Sequence, residues 1–261
     1  SCYSIMREKN IWIRKSNLLN LTTQPTPKYL WQRIVNFIVV AFLLMLSPAF
    51  LQIAAMQKSV WLQILFIMML FVSYLAIGYY AYRLLRRTTT APVFHRINVR
   101  HWQHIWYIIG LFFAMLGIEM VVNFLRLTLT GDTTTENQAA IQSLTAHINL
   151  VMIAMLIYAI FLAPVVEEIV FRGLVINYFF RKSWWWASII LSGILFAFPH
   201  MGKIPTNLSD GLSYLVYMSM GMFLAYVYKH TGNLQDSIAV HFVNNFVTMM
   251  PILIMAFVKA L

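Results

Sequence analysis

Seven uninterrupted apolar runs dominate the chain, near residues 34–56, 60–82, 104–126, 149–178, 184–200, 212–228 and 236–258. About 20 such residues, rising about 1.5 Å each, carry a helix across the hydrocarbon core of a bilayer. Backbone polar groups in lipid must be satisfied within the segment, so runs of this length are expected to fold as helices. The fold class read from them is all-α, a polytopic membrane protein. The fourth run is long and the fifth short, so irregular packing is expected. Composition agrees: 61% of residues are hydrophobic and 10% charged, with a mean hydropathy of +0.72. Soluble domains hold about 45–50% apolar and about 25% charged residues. No stretch reads as a separate soluble domain. The first run follows some thirty more polar residues and is as long as a full span, so a retained anchor is expected, not a cleaved signal.

The net charge of +11 follows topology. Arg7, Lys9, Arg14, Lys15, Lys28, Arg33, Arg83, Arg86, Arg87, Arg96, Arg100, Arg181, Lys182 and Lys229 all fall on one set of alternate connections. The other set carries Lys58, Arg126, Lys203 and Lys259. Fourteen against four is the bias that marks cytoplasmic loops. The N-terminus is therefore expected inside and the C-terminus outside, in a multi-pass cell-membrane protein. A charge spread this way gives no reason to expect a nucleic-acid partner. Cys2, the single cysteine, lies outside every run and leaves no internal disulfide, cysteine metal cluster or buried thiol nucleophile. The stretch "NIWIRKSNLL" (10–19) mixes basic and apolar residues like an interfacial segment. Trp184, Trp185 and Trp186 open the fifth run like an interfacial belt. The connection "LTGDTTTENQAAIQSL" (129–144) reads as a solvated outer loop.

Polar groups inside the last four runs are the exception to this pattern. "PVVEEIVFRG" (164–173) puts Glu167, Glu168 and Arg172 into one span; His200 ends the next; His241, Asn244 and Asn245 lie in the last. Ionisable groups at mid-membrane cost on the order of 3 kcal/mol or more and mark function by default. Counted at about 1.5 Å per residue from the nearest inner-side cation, Glu167 lies ~21 Å up, His241 ~18 Å, Asn245 ~24 Å and His200 ~27 Å. Three helices thus bring polar groups to similar heights, a polar cavity near the midplane. Glu168 and Arg172, four apart, share a face and can pair; Glu167, rotated by about 100°, faces elsewhere. Pro164 removes a backbone hydrogen bond just before the pair. A desolvated glutamate can act as general base on water, and histidine and amide donors can receive the oxyanion formed on a peptide carbonyl. A Glu/His cluster can equally hold a divalent metal such as zinc that activates the water. The chain has no HExxH and no GxSG, and Asp132, Asp210 and Asp236 stand in or next to loops.

With these residues in order, the chain resembles the CPBP family of CAAX proteases and bacteriocin-processing enzymes (also called Abi), which contains type II CAAX prenyl endopeptidase. The family motifs EExxxR, FxxxH and HxxxN read here as "EEIVFR" (Glu167, Glu168, Arg172), "FAFPH" (Phe196, His200) and "HFVNN" (His241, Asn245). The resemblance covers about residues 149–250. It implies an intramembrane endopeptidase in which Glu167 is the general base, His200 helps hold the attacking water, and His241 and Asn245 form the oxyanion hole. Glu168 and Arg172 would support them, and no metal or other cofactor is required. Some members have eight spans against the seven counted here. The implied partners are the bilayer and a membrane-associated peptide or protein, lipidated or not. CAAX-type processing and bacteriocin or pheromone-peptide processing both stay open. A non-catalytic immunity or scaffold protein and a proton-coupled transporter are the competing readings; against the latter, no inverted repeat is visible.

The organisation expected is an N-terminal interfacial segment (1–33), three accessory spans (34–148) and a four-span catalytic core (149–261). Glu119 and Arg126, seven apart, are expected to form a structural ion pair. His95, His101 and His104 read as interfacial residues, Asn244 as a packing residue turned away from the site, and His147 and His230 as markers of span ends.

Overall fold

The computed structural model describes residues 21–94, 102–180 and 184–260. The segment 10–19, Cys2, His95, His101, Arg181 and Lys182 lie outside them. The described residues form helices without a strand, joined near one face by a single bridge between Leu21 and Thr89. Helix α1 is Leu30–Ala55, interrupted at Ser47 and Pro48; α2 is Val60–Arg86 and α3 Trp102–Thr130. A short α4, Glu136–Leu144, lies in the connection expected to be a plain loop. Helix α5 is Leu150–Phe179, α6 Trp185–Met201, α7 Leu208–Thr231 and α8 Leu234–Ala260. Six helices are long and apolar enough to cross a membrane, and α6, with 17 residues, is the shorter apolar one. The protein is a polytopic all-α membrane protein.

Local chemistry sets the helix ends. Thr135, Asn149 and Asn207 each accept a backbone N–H from three residues on, at Gln138, Met152 and Asp210, which satisfies one of the orphan donors of the first turn. Gly202 and Gly232 close α6 and α7 with φ of 65° and 70°, a left-handed conformation that glycine adopts without steric cost.

Helix α5 is the axis of the bundle. Every residue from Glu168 to Tyr178 is buried, against α1, α2, α6, α7 and α8. It is not a regular helix. Tyr158–Leu162 and Glu168–Leu174 are π-helical, the second beginning just after the short α-helical turn that holds Pro164 near its start. The irregularity expected from Pro164 is thus shared between two π segments. A π turn leaves a carbonyl without its usual partner, and neighbouring helices supply the donors. Asn245 Nδ2 donates to the Ala159 carbonyl at 2.8 Å, and Ser192 Oγ to the Phe171 carbonyl at 2.8 Å.

Helices α6 and α7 approach closely because glycines face each other. A Cβ on Gly221 would lie 2.9 Å from the Cα of Gly193, and one on Gly193 would lie 2.8 Å from the Met218 carbonyl oxygen. Small residues at such crossings let helix backbones meet in lipid, where dispersion and hydrogen bonds drive association.

Candidate active site

Two adjacent carboxylates on α5 meet opposite surroundings. Glu168 and Arg172 are both wholly buried, with Nη1 3.0 Å from Oε1. Three helices close around that pair. Arg172 Nη2 donates to the Gly221 carbonyl at 3.0 Å, and its guanidinium lies 4.3 Å from the centroid of the Phe196 ring. Ser237 donates to Glu168 Oε2 at 2.5 Å and is also 3.0 Å from the Leu224 carbonyl. His241 Nδ1 donates to Glu168 Oε1 at 2.9 Å. Removing one member of such a set leaves an unpaired charge in a dry site, a loss of about 3–5 kcal/mol.

Glu167, one residue back and so about 100° around the helix, points instead into a cavity of about 370 Å³. Its side chain keeps 12% exposure. Tyr74 on α2 directs its hydroxyl to Oε1 at 3.5 Å, and His241 Nε2 stands 3.9 Å from Oε2. With Nδ1 committed to Glu168, His241 has only Nε2 left for the cavity side. His200 also lines the cavity. Its Nδ1 donates to the Phe196 carbonyl at 2.9 Å, which turns Nε2 away from the backbone, and its ring stacks on Tyr217 at 4.7 Å. Phe196 is the common support: both imidazoles and the Arg172 guanidinium rest against its ring.

Asn245 lines the cavity with one amide N–H given to Ala159. Asn244 departs from its expected place. It too lines the cavity, and its amide has only the Met220 sulfur, at 3.6 Å. The cavity is broad enough to take adjacent positions of α8.

The expected Glu119–Arg126 ion pair is not formed. Both residues line the cavity; Glu119 Oε1 and Arg126 Nε have no hydrogen-bond partner, and Arg126 Nη1 instead donates to the Thr134 carbonyl at 2.9 Å. The seven-residue spacing puts them about two turns apart, on the order of 10 Å along the axis, and each turns to the cavity instead of to the other. His104, read as interfacial, bonds Asp236 at 2.9 Å and ties α3 to α8.

The connection read as a solvated loop covers the cavity. Thr133, Thr134, Asn137 and Gln138 form part of its lining. Thr135 Oγ1 is 2.6 Å from the Tyr217 hydroxyl, and Lys203 Nζ is 2.7 Å from Glu136 Oε1 and 3.1 Å from Asp210 Oδ1. Motif spacing could not show Tyr74, Tyr217 or Ser237, since each reaches the site from a helix or position outside the motifs. As to a metal, among the described residues no three His, Cys, Asp or Glu side chains converge as a ligand set. No step below is routed through a metal.

A bundle of apolar helices around an acidic, histidine-lined cavity defines the class: a polytopic all-α membrane protein with a polar interior site. Residues 149–247 match the family model described as type II CAAX prenyl endopeptidase Rce1-like, so this stretch carries an Rce1-like domain. That is the family that the three motifs resemble. Such a domain points to intramembrane endopeptidase activity on a peptide held at the bilayer. Comparison with curated proteins and with solved structures gave no match.

Proposed function

We propose that the protein hydrolyses peptide bonds of membrane-associated substrates with water activated by Glu167. The observation that carries this reading is the division between the carboxylates: Glu168 is locked in an ion pair, whereas Glu167 opens on the cavity with His200 and His241 beside it.

A water in the cavity gives one hydrogen to Glu167 and directs the other to His200 Nε2, leaving an oxygen lone pair for the scissile carbonyl. As the C–O bond forms, the water's proton passes to Glu167. The second amide N–H of Asn245 donates to the developing oxyanion, joined by Nε2–H of His241 when the ring carries both protons opposite Glu168, the kind of fixed donor that supplies about 3–4 kcal/mol in acyl transfer. Glu167 then returns its proton to the amide nitrogen, and the C–N bond breaks. Glu168 and Arg172 hold His241 and α5 in position. Tyr74, 3.5 Å from Oε1, orients the base.

The test is cleavage of an internally quenched peptide library by the purified protein in detergent, wild type beside Glu167→Gln, with and without chelator. Cleavage that survives chelation and disappears in Glu167→Gln is the expected result. Loss on chelation with rescue by a divalent ion would replace this scheme with metal activation.

A further inference from the structure

We infer that the cavity takes its substrate from the side of the membrane opposite the cytoplasm, so that the peptides cut are exported or externally presented segments, not cytoplasmic tails. The inference rests on the proteolytic reading above and adds a side to it.

Connectivity and cross-contacts sort the loops into two faces. On the first, Leu21 bridges Thr89, Arg33 bonds the Tyr178 carbonyl, and His104 bonds Asp236. These contacts gather the start of α1, the end of α2, the starts of α3 and α8, and the end of α5. On the second face, Lys203 joins Glu136 and Asp210, and Ser209 bonds Asp132. These gather the end of α3, helix α4, the end of α6 and the start of α7. The chain therefore alternates direction through all seven spans.

The cavity belongs to the second face. Its floor is Glu167, Met220 and His241, and its rim is Gln52, Thr133, Thr134 and Ala140, each of them exposed or half-exposed. No residue from the described connections of the first face lines it. That face is closed by packing: Lys229 lies 4.8 Å from the Trp185 ring and Asn177 donates to Tyr228 at 3.2 Å. The short α6 explains the asymmetry. Its 17 residues span only about 25 Å, and the gap left beyond His200 and Met201 is the mouth, with α4 laid over it.

Charge gives the faces their sides. Of the fourteen Lys and Arg residues that the sequence assigns to one set of connections, the described ones, Lys28, Arg33, Arg83, Arg86, Arg87 and Lys229, belong to the ends of helices on the first face, whereas Lys58, Arg126 and Lys203 belong to the second. Loops rich in Lys and Arg stay in the cytoplasm, so the mouth opens on the other side. The rim offers hydroxyls and amides, groups that pair with an extended peptide backbone. At about 370 Å³ the cavity is at the small end of ligand sites and takes a short segment, not a folded domain.

The test uses the full chain in intact cells, in a Cys2→Ser background, with single cysteines at Thr134→Cys or Lys58→Cys on the second face and Arg87→Cys on the first. A membrane-impermeant maleimide should label the first two in intact cells and Arg87→Cys only after lysis. Because Lys58 lies away from the cavity rim, it reports the side even where Thr134→Cys disturbs the covering loop. Labelling of Arg87→Cys alone in intact cells would overturn the inference. In sealed vesicles, quenched peptides should be cleaved when added to the second face and spared when added to the first; cleavage only from the first face would overturn it equally. Labelling as expected with no cleavage from either face would instead count against the proteolytic reading itself.

Discussion

The two halves of this bundle treat their carboxylates and amides differently. From Glu168 toward the first face, the carboxylates and amides have protein partners, Glu168 with Arg172, His241 and Ser237, Asn177 with Tyr228, Asp236 with His104, while Arg172 Nε and Lys229 Nζ are left without a hydrogen bond. From Glu167 toward the second face they are left partly unmatched. Glu119 Oε1 and Arg126 Nε have no partner, Asn244 has only a sulfur, and Glu167 has a long contact to Tyr74. Unsatisfied polar groups in a dry interior are costly, and those on the cavity wall are open to a ligand that would complete them. In the proposed scheme the boundary between stability and function falls between two consecutive residues.

Substitutions can break that comparison from either side. The largest effect is expected for Arg172→Leu, which leaves Glu168 charged and buried without its cation. A loss of about 3–5 kcal/mol should appear as a much lower melting temperature in detergent, with activity lost along with the fold. Ser237→Ala removes a hydrogen bond to a buried carboxylate and should cost about 1.5–3 kcal/mol in the same melt, with residual cleavage. Gly193→Ala sets a Cβ 2.5 Å from Met222 Cγ and 2.8 Å from the Met218 carbonyl. Overpacking of this kind costs about 1–3 kcal/mol, and cleavage should fall only as far as the folded fraction falls. The smallest is Tyr217→Phe in the functional half. It keeps the ring under His200 but removes the hydroxyl bonded to Thr135. The melt should move little, and kcat/KM should drop by less than about tenfold, the equivalent of one hydrogen bond of about 0.5–1.5 kcal/mol.

Much of this was legible in the sequence. Long apolar runs placed every span within a few residues, because the bilayer imposes a length that hydropathy records directly. The i, i+4 spacing of Glu168 and Arg172 anticipated their pairing, for the same geometric reason that separated Glu167 from it. What one-dimensional spacing could not hold was contact between distant segments. Tyr74 meets Glu167 across 93 residues, and Thr135 meets Tyr217 across 82. Glu119 and Arg126 were misjudged because shared facing on a helix says nothing about axial distance or about a cavity competing for both side chains. The π segments of α5 were invisible because their apolar residues, among them Tyr158–Leu162, Ile169, Val170 and Phe171, read like any buried helix.

The central claim is that adjacent glutamates divide the work, one holding the fold and one performing chemistry. The most direct measurement compares Glu167→Gln with Glu168→Gln, each assayed for melting temperature and for cleavage of the quenched peptide library. Glu167→Gln should melt like the wild type and cleave about 10²–10⁴-fold more slowly, the contribution of a positioned general base. Glu168→Gln should lose about 3–5 kcal/mol of stability, because it strands the Arg172 charge. Wild-type cleavage by Glu167→Gln, or a melt for Glu168→Gln as high as that of the wild type, would contradict the division.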